Sequence, residues 1–409
     1  MNMTYLCVCM SPAIDASVSL GRAPQGDGEI FKNVKVVENA GGKAINVARW
    51  IRSRALSFAP SSTRSLSRPE DFLSEGSRAL SFAPSSTRSL SRPEDCRVIC
   101  AGLLGEDNAT LFEKEFAKYG IVDKMMRVKG ATRRNEMITW PVSAKTTPGK
   151  SGEAREMRSF KLNQAAFEGV EFDEDRFLEG LVEQMSAAAV VERTASVQQQ
   201  EGTASIQHQE VVIISGSLPK CCSNDFYAKA VAAFKATGAF VVLDASGEAM
   251  ARALRGGEGR TAKPVDYGRD GVPSPSARPD LIKPNDEECE ALIGFVPKTP
   301  EEFKKATAML RGELATAKGE LLLGAEHVVI SAGGAGAWFD GEFFAAPKVE
   351  VVDTTAAGDT LLAEYCWQLR EAELANQDMA ARFAVAAGSA ACTMPGSNPP
   401  PVELVEKMS

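Results

Sequence analysis

Residues 211–243, VVIISGSLPKCCSNDFYAKAVAAFKATGAFVVL, combine two short apolar runs with a helical pattern between them. The runs at 211–215 and 240–243 are continuous, which is typical of strands that are buried on both faces. Residues 225–237 between them have the pattern of a helix. A strand, a helix and a second strand in this order predict two parallel strands joined by a crossover helix.

Similar short apolar runs recur along the chain, and helical patterns separate several of them. They lie at residues 5–10, 98–104, 280–282 and 327–331. Strands and helices that alternate in this way form a parallel sheet with helices on its faces. The sequence therefore predicts a doubly wound α/β fold.

Two stretches, residues 16–37 and 125–162, alternate apolar and polar side chains instead. This alternation suits a sheet with one face in solvent and predicts a small β-sheet lid. Three segments rich in small and polar residues are predicted to be flexible insertions in one domain that spans residues 1–409. They are residues 53–95, in which SRALSFAPSSTRSLSRPED occurs twice, 193–210 and 255–277. The basic clusters of the first can also form a docking or phosphorylation tract.

Composition and charge exclude several classes of function. Apolar residues make up 44% and charged residues 24% of the 409, as in ordinary folded domains, and the net charge is −8. An acidic chain has no electrostatic reason to bind nucleic acid or an anionic membrane. Nine scattered cysteines without zinc-type spacing and two histidines leave little material for a metal centre or a Ser/His/Asp triad. Without a long apolar run or a signal-peptide pattern, the expected location is cytoplasmic.

The strongest functional signal is DTTAAGD at residues 353–359, between an extended run at 349–352 and a helical pattern at 360–369. Backbone N–H groups of small residues at a helix start stabilise an anionic phosphoryl group. Asp359 would face the same pocket. An aspartate in this position is also an ordinary helix cap.

Two further motifs have suitable chemistry. Residues 40–49, AGGKAINVAR, place two glycines before a helix that carries Lys43 and Asn46, without the spacing of a Walker A loop. An asparagine amide can both donate to and accept from sugar hydroxyls. In KPNDEE, residues 283–288, Asn285 and Glu288 lie three apart and can hold a hydrated Mg²⁺ or simply cap a helix.

Taken in order, these and other motifs resemble the PfkB, or ribokinase-like, carbohydrate kinase family. They are SPAID (11–15), GGK and NVAR (41–49), TRRN (132–135), ISGSLP (214–219), LDASGEA (243–249), KPN and Glu288 (283–288), Ser331 to Ala337, and AGD (357–359). SGSLP, LDASGEA and TRRN are most similar to the phosphosugar branch, which includes 1-phosphofructokinase, tagatose-6-phosphate kinase and B-type 6-phosphofructokinase.

The resemblance implies a ribokinase-like three-layer α/β/α fold with a mostly parallel central sheet and a small β-sheet lid. It implies ATP and Mg²⁺ as cofactors, a small-molecule sugar phosphate as acceptor, and a homodimer formed through the lid. No nucleic acid or membrane partner is expected.

The resemblance also implies the roles of individual residues. Asp359 would be the base, and the turn Ala356, Ala357 and Gly358 would hold the transferring phosphoryl group. The sugar phosphate would contact Asp15, Gly41, Gly42, Lys43, Asn46, Arg133 and Ser217. ATP would contact Lys283, Asn285, Ser331, Gly333, Gly336, Gly388 and Ser389. Mg²⁺ would lie near Glu288, through water, and Asn285.

Four positions depart from the family pattern: Ser11, Ala44, Ala356 and Glu364 stand where the family usually has Asn, Gly, Gly and Gly. A Cβ at Ala356 costs ~1 kcal/mol if this residue has a positive φ. Glu364 would either face solvent or place a negative charge near the nucleotide. A catalytically weakened binding or regulatory protein is therefore an alternative to an active kinase.

The acceptor has several candidates. Lys43 and Arg133 favour a sugar phosphate over an unphosphorylated sugar or nucleoside, because a neutral acceptor would give these cations little purpose. The run GDGEI at residues 26–30 is most similar to 1-phosphofructokinase and favours fructose 1-phosphate. Tagatose 6-phosphate and fructose 6-phosphate stay open as alternatives.

Overall fold

Two β-sheets organise the chain, as seen in a computed structural model. The structure describes residues 3–26, 29–32, 34–57, 96–141, 157–167, 169–196, 210–256, 278–371 and 376–409. Its strands are β1 (Met3–Cys9), β2 (Ala13–Ser19), β3 (Lys35–Gly41), β4 (Cys96–Gly105), β5 (Val122–Val128), β6 (Arg134–Pro141), β7 (Met157–Asn163), β8 (Glu210–Ser215), β9 (Phe240–Asp244), β10 (Leu281–Ile282), β11 (His327–Ser331), β12 (Gly336–Phe339) and β13 (Glu342–Ala345).

The α-helices of the described residues connect and cover these strands. They are α1 (Lys43–Ser57), α2 (Thr110–Tyr119), α3 (Glu174–Ser196), α4 (Phe226–Ala236), α5 (Gly247–Arg255), α6 (Asp286–Ile293), α7 (Pro300–Leu310), α8 (Ala357–Glu371), α9 (Gln377–Ala391) and α10 (Val402–Met408).

The larger sheet has the strand order β13-β12-β11-β10-β9-β8-β1-β4-β5. All neighbours from β11 to β5 are parallel, and β12 and β13 are antiparallel. Side chains of β1 alternate between two apolar cores, one against α1, α2, α8 and α9 and the other against α3 to α7. Because both faces are covered, the strand is apolar throughout residues 5–9, which is the signal that predicted it. The predicted three-layer α/β/α fold is confirmed.

The smaller sheet has the order β3-β2-β6-β7, with β2 and β6 parallel and the other pairs antiparallel. It overlaps both stretches predicted to form a lid, but the predicted start of the second stretch, at residue 125, is too early in the sequence. Residues 125–128 belong to β5, at the edge of the larger sheet. An edge strand is half-exposed and shows the same alternation as a lid strand, so the pattern does not separate them.

The predicted insertions lie largely outside the described residues, at 58–95, 197–209 and 257–277. Their predicted ends are wrong, because residues 53–57 complete α1 and 193–196 complete α3. The extended run at 349–352 forms no strand in the described structure. In the same residues, no helix is long and apolar enough to cross a membrane.

Candidate active site

Asp244 is the buried centre of the site. It is the last residue of β9 and its side chain has no exposed surface. Lys43 Nζ and Lys283 Nζ lie 3.3 and 3.2 Å from Asp244 Oδ1, and Ser215 Oγ donates to Oδ2 over 3.1 Å. No role is predicted for Asp244 from the sequence. The available signal is an aspartate at the carboxyl end of a buried parallel strand, at the sheet edge where α/β proteins bind ligands.

These charges shift the pKa values of the cluster. Burial raises the pKa of Asp244, but Lys283 and Lys43 more than offset this and hold the pKa below its ordinary value. The pKa of Lys43 is raised, chiefly by Asp244. Asp244 is therefore ionised near neutral pH and holds two ammonium groups at the sheet edge.

Asp359 lies in the first turn of α8 and is buried. Its Oδ2 accepts a hydrogen bond from Asn46 Nδ2 over 2.7 Å. Burial and the negative charge of Asp244 raise the pKa of Asp359 to about 6, against the lowering effects of Lys43, Asn46 and Lys283. A carboxylate with a pKa near the working pH suits general-base chemistry.

The turn before α8 is held by Asp353 rather than by strand pairing. Asp353 Oδ1 accepts from Thr355 N over 2.8 Å, and Oδ2 accepts from Gly396 N over 3.0 Å. Ala356 has φ of +63°, the left-handed conformation that makes its Cβ costly. Ala357 and Gly358 then start the helix, whose N-terminal dipole favours an anion.

We expect Ala356→Gly to raise the free energy of unfolding by up to ~1 kcal/mol, because glycine adopts positive φ without the Cβ penalty. Chemical denaturation measures the change. Ala109→Gly is the matched control, since Ala109 has an ordinary φ of −61° and the same change there should destabilise the protein. A loss of stability in Ala356→Gly equal to that of the control would contradict the strain.

A cleft of about 950 Å³ runs from Asp359 to the glycine turn between β11 and β12. It is lined by all the residues predicted for catalysis, ATP and metal: Ala356, Ala357, Gly358, Asp359, Lys283, Asn285, Glu288, Ser331, Gly333, Gly336, Gly388 and Ser389. Lys43 lines it as well, and so does Lys161 of β7, which the sequence analysis missed. The small sheet therefore borders the cleft.

Close packing between α9 and α8 requires a glycine at position 388. A Cβ at this position would lie 3.1 Å from Ala357 O and 3.2 Å from Leu361 Cβ. Gly388 thus allows α9 to pack closely on the first turn of α8, beside the nucleotide-sized cleft. Its predicted contact with ATP stays a prediction.

The residues predicted to bind the sugar lie at the junction of the small sheet and α1. Asp15 of β2 accepts from Asn135 Nδ2 over 3.1 Å, and burial raises its pKa. Gly41 ends β3, where a Cβ would lie 1.9 Å from Asp15 Oδ2. Gly42 immediately precedes α1. The aspartate can take this position only because residue 41 is glycine.

Neither Arg133, whose backbone oxygen accepts from Ile14 N of β2, nor Ser217 lines the cleft. The Arg133 guanidinium makes two long contacts of 3.4 Å, with the carbonyl oxygens of Ser11 and Pro12. It forms no ion pair with a carboxylate in the described part of the chain. Ser217 follows β8 and is half-buried. Arg133 thus keeps donors for an anion.

Asn285 and Glu288 form a capping box at the start of α6. The Asn285 side chain accepts from Glu288 N, and Glu288 Oε2 accepts from Asn285 N over 2.9 Å. The capping alternative is therefore real in this structure. It does not remove the metal hypothesis, since both residues line the cleft and a hydrated Mg²⁺ needs few direct ligands. In the described residues no cluster of three His, Cys, Asp or Glu can hold a metal alone.

Glu364 lies in neither of the two predicted environments, and both expectations were wrong. Its side chain has no exposed surface and points into the core between α8 and α1. It accepts from Trp50 Nε1 and Gln368 Nε2, each over 2.8 Å, and lies 3.1 Å from Arg54 Nη2. Burial raises its pKa. Glu364 is a structural residue.

We expect Glu364→Ala to lower the free energy of unfolding by ~3 kcal/mol, because it breaks a buried ion pair, while KM for ATP stays unchanged. Thermal or chemical denaturation and steady-state kinetics check the two parts. Glu406→Ala removes a more exposed carboxylate from the same Arg54 and should cost under ~1 kcal/mol. A rise in KM for ATP in Glu364→Ala would contradict the structural role.

Comparisons with known proteins agree with this arrangement. The pfkB family carbohydrate kinase pattern matches residues 260–403. The chain is 28% identical over 304 residues to 1-phosphofructokinase of Vibrio cholerae, covering 73% of this chain and 74% of the relative. It is 29% identical over 316 residues to 1-phosphofructokinase of Rhodobacter capsulatus, covering 76% and 79%.

Solved structures show the same fold. Phosphofructokinase-2 from Escherichia coli, in complex with substrates and products, has a TM-score of 0.63 and 20% identity, covering 100% of this chain and 98% of the other. Ribokinase of Arabidopsis thaliana, complexed with ribose and ATP, has a TM-score of 0.55 and 19% identity, covering 100% and 99%. The chain is thus similar to pfkB family carbohydrate kinases in the matched segment, to 1-phosphofructokinases along about three quarters of its length, and to both solved structures in its fold.

Proposed function

We propose that this protein transfers the γ-phosphoryl group of ATP to a hydroxyl group of a sugar phosphate, and that the acceptor is fructose 1-phosphate. One observation carries the proposal. Asp359, with its pKa of about 6, lies in the first turn of α8, between the ammonium groups around Asp244 and the amide of Asn46. A base, an anion-binding helix start and two cations at one place are what phosphoryl transfer needs.

Each group would have a distinct task. Asp359 would accept the proton of the attacking hydroxyl, and the N–H groups of Ala357 and Gly358 would stabilise the transferring phosphoryl group. Lys43 and Lys283 would neutralise its negative charge. Asp244 would hold both lysines in place, since it pairs with each of them.

ATP would occupy the cleft over the glycine turn that follows β11. Its phosphates would extend towards Lys283 and the start of α6. Mg²⁺ would supply charge neutralisation of the phosphates, and Glu288 and Asn285 are the residues placed to hold its water shell.

Two observations favour a phosphorylated acceptor. Arg133 has donors that no carboxylate of the described residues occupies, and a guanidinium binds phosphate through parallel N–H donors. The relatives named 1-phosphofructokinase support fructose 1-phosphate over tagatose 6-phosphate and fructose 6-phosphate. A neutral sugar or nucleoside would leave Arg133 without a ligand.

A weakened binding or regulatory protein is the second candidate, and the specific observation for it is the strained Ala356 in the anion cradle. Against it, Asp359, Lys283 and Glu288 are all in place along one cleft. Glu364 no longer supports it, since this residue lies in the core. The kinase is therefore the better account of the site.

We expect Arg133→Ala to raise KM for the sugar phosphate at least ~10-fold, because a charge-assisted hydrogen bond to phosphate contributes ~1.5 to 3 kcal/mol. KM for ATP should not change. Steady-state kinetics with each substrate varied in turn give both values. The control is Arg134→Ala, since Arg134 pairs with Glu38 and Glu136 on the small sheet. An unchanged sugar KM in Arg133→Ala would rule out the phosphosugar acceptor.

The proposal itself is tested by ADP release with ATP and Mg²⁺ against six acceptors: fructose 1-phosphate, fructose 6-phosphate, tagatose 6-phosphate, fructose, ribose and adenosine. Turnover highest with fructose 1-phosphate supports the proposal. Turnover highest with an unphosphorylated acceptor would overturn its substrate class. ATP binding without turnover of any acceptor would favour the binding or regulatory protein.

The small sheet is also the surface through which we propose a homodimer. Val36 of β3 and Phe160 and Leu162 of β7 are 46%, 44% and 49% exposed, an apolar set on the two edge strands. Exposed apolar groups of this kind mark protein interfaces. In such a dimer, the paired small sheets of the two subunits would also exclude water from the acceptor site. Sedimentation analysis would measure the mass of the protein in solution and so distinguish a dimer from a monomer.

A further inference from the structure

Arg49 is a fully buried arginine in the second turn of α1. Its Nη2 donates to Asn46 Oδ1 and to Ser397 Oγ, each over 2.9 Å, and to Ser397 O. Its Nη1 lies 3.1 Å from Glu115 Oε1. Burying a guanidinium is costly unless it is paired, and because Arg49 Nε has no hydrogen-bond partner in the described structure, the Nη1 and Nη2 contacts are what hold the group in place.

The contact with Asn46 decides which way the amide faces. The oxygen and the NH₂ group of an asparagine have nearly the same shape, so their neighbours determine the orientation. Because Arg49 can only donate, it requires the oxygen of Asn46 on its side. The NH₂ group must then face Asp359, to which it donates over 2.7 Å. The opposite orientation would place two donors together on one side and two acceptors on the other.

We propose that Arg49 is a positioning residue, which holds the Asn46 amide in the orientation that donates to the catalytic carboxylate Asp359. Only the catalytic role of Asp359 rests on the proposed function. The hydrogen bonds that link Arg49 to Asn46 and Asn46 to Asp359 are present whatever the acceptor is. Helical spacing makes the chain feasible: Asn46 and Arg49 lie three residues apart and project from the same face of α1.

Arg49 also reaches the sugar side of the site. The Ser397 hydroxyl accepts from Arg49, and although burial raises the pKa of Asp15, both this hydroxyl and the Arg49 charge act to lower it. One guanidinium therefore orders the predicted base and a predicted sugar ligand together. The planar fork of arginine provides several donors at fixed angles, which a lysine cannot do.

The other groups that face Asp359 do not depend on Arg49. They are the carboxylate of Asp244 and the ammonium groups of Lys43 and Lys283. Asn46 is the hydrogen-bonding partner of Asp359, and its donation lowers the pKa. If the amide loses its orientation, the ionised form of Asp359 loses a donor, and its pKa should rise.

The test measures the pKa of Asp359 in two ways. One is the acidic limb of kcat/KM against pH. The other needs no turnover: protein labelled with ¹³C at the aspartate carboxyl carbons is titrated by NMR, and the Asp359 signal is the one absent in Asp359→Asn. We expect Arg49→Met to raise both values by about one pH unit, the size of one hydrogen bond to a charged group.

Three companion variants make the test specific. Arg54→Met removes another buried arginine of α1, which pairs with Glu364, and should leave the pKa of Asp359 unchanged. Asn46→Ala should raise the pKa by itself, and adding Arg49→Met to it should produce no further rise, because the two residues act in series. Arg49→Lys should show a smaller rise and replaces Arg49→Met if that variant does not fold.

The outcomes separate the proposals. An unchanged pKa in the folded Arg49 variant, or an equal further rise in the Asn46→Ala background, would overturn the positioning role. A shifted NMR titration in a protein that phosphorylates no acceptor would support the positioning role and refute the proposed kinase activity.

Discussion

Asp359→Asn is expected to lower kcat about 100- to 10,000-fold, because a positioned base contributes an acceleration of that size. An asparagine keeps the shape of the side chain but cannot accept the proton of the attacking hydroxyl. ATP binding should persist, since the cleft residues proposed to hold the nucleotide are unchanged. Assays of ADP release give kcat, and isothermal titration calorimetry gives the affinity for ATP.

The pH dependence of the unchanged enzyme belongs to the same prediction. A base must be deprotonated to work, so kcat/KM should fall as pH decreases through the pKa of Asp359, about 6. The acidic limb should be absent from the residual activity of Asp359→Asn. If the variant keeps its full kcat, or if the limb persists in it, another group takes the proton.

Much of the central fold can be predicted from the sequence, for a physical reason. Strands such as β1 and β8 are covered on both faces, so each contains a continuous apolar run that is easy to recognise, residues 5–9 and 211–214. The ends of insertions and the edge strand β5 are harder to predict, because a half-exposed segment has a mixed pattern of apolar and polar residues that fits more than one structure. The residues at 53–57 look like a linker, yet they complete α1 and include the buried Arg54.

The site divides in the same way. The motifs around Asp359 and Lys283 contain small or charged residues with few other uses, and they do line one cleft. Glu364 could not be placed from the sequence, because its partner Trp50 is 314 residues away and only the packing of α1 on α8 brings them together. Asp244 was missed because its role depends on two lysines from different segments.

Asp244→Asn should have the second large effect. The direction in which it shifts the pH dependence of kcat/KM shows whether Asp244 acts on the pKa of Asp359. Removing the carboxylate leaves Lys283, which is 4% exposed, without its ion-pair partner, and should cost ~3 kcal/mol of unfolding free energy. The negative charge of Asp244 also raises the pKa of Asp359. Its loss should therefore move the acidic limb of kcat/KM to lower pH, even though kcat falls as the lysines lose their positions.

Asp280→Asn is the matched control for Asp244→Asn. Asp280 is 6% exposed and pairs with Lys235 over 2.6 Å. It immediately precedes the adjacent strand β10 and thus lies towards the opposite edge of the sheet. This variant should lose a similar amount of stability in chemical denaturation but keep the wild-type pH profile. A profile that stays unchanged in Asp244→Asn as well would mean that Asp244 supports the fold alone. A limb displaced to lower pH in Asp244→Asn only would identify Asp244 as the residue that keeps the pKa of Asp359 close to neutrality.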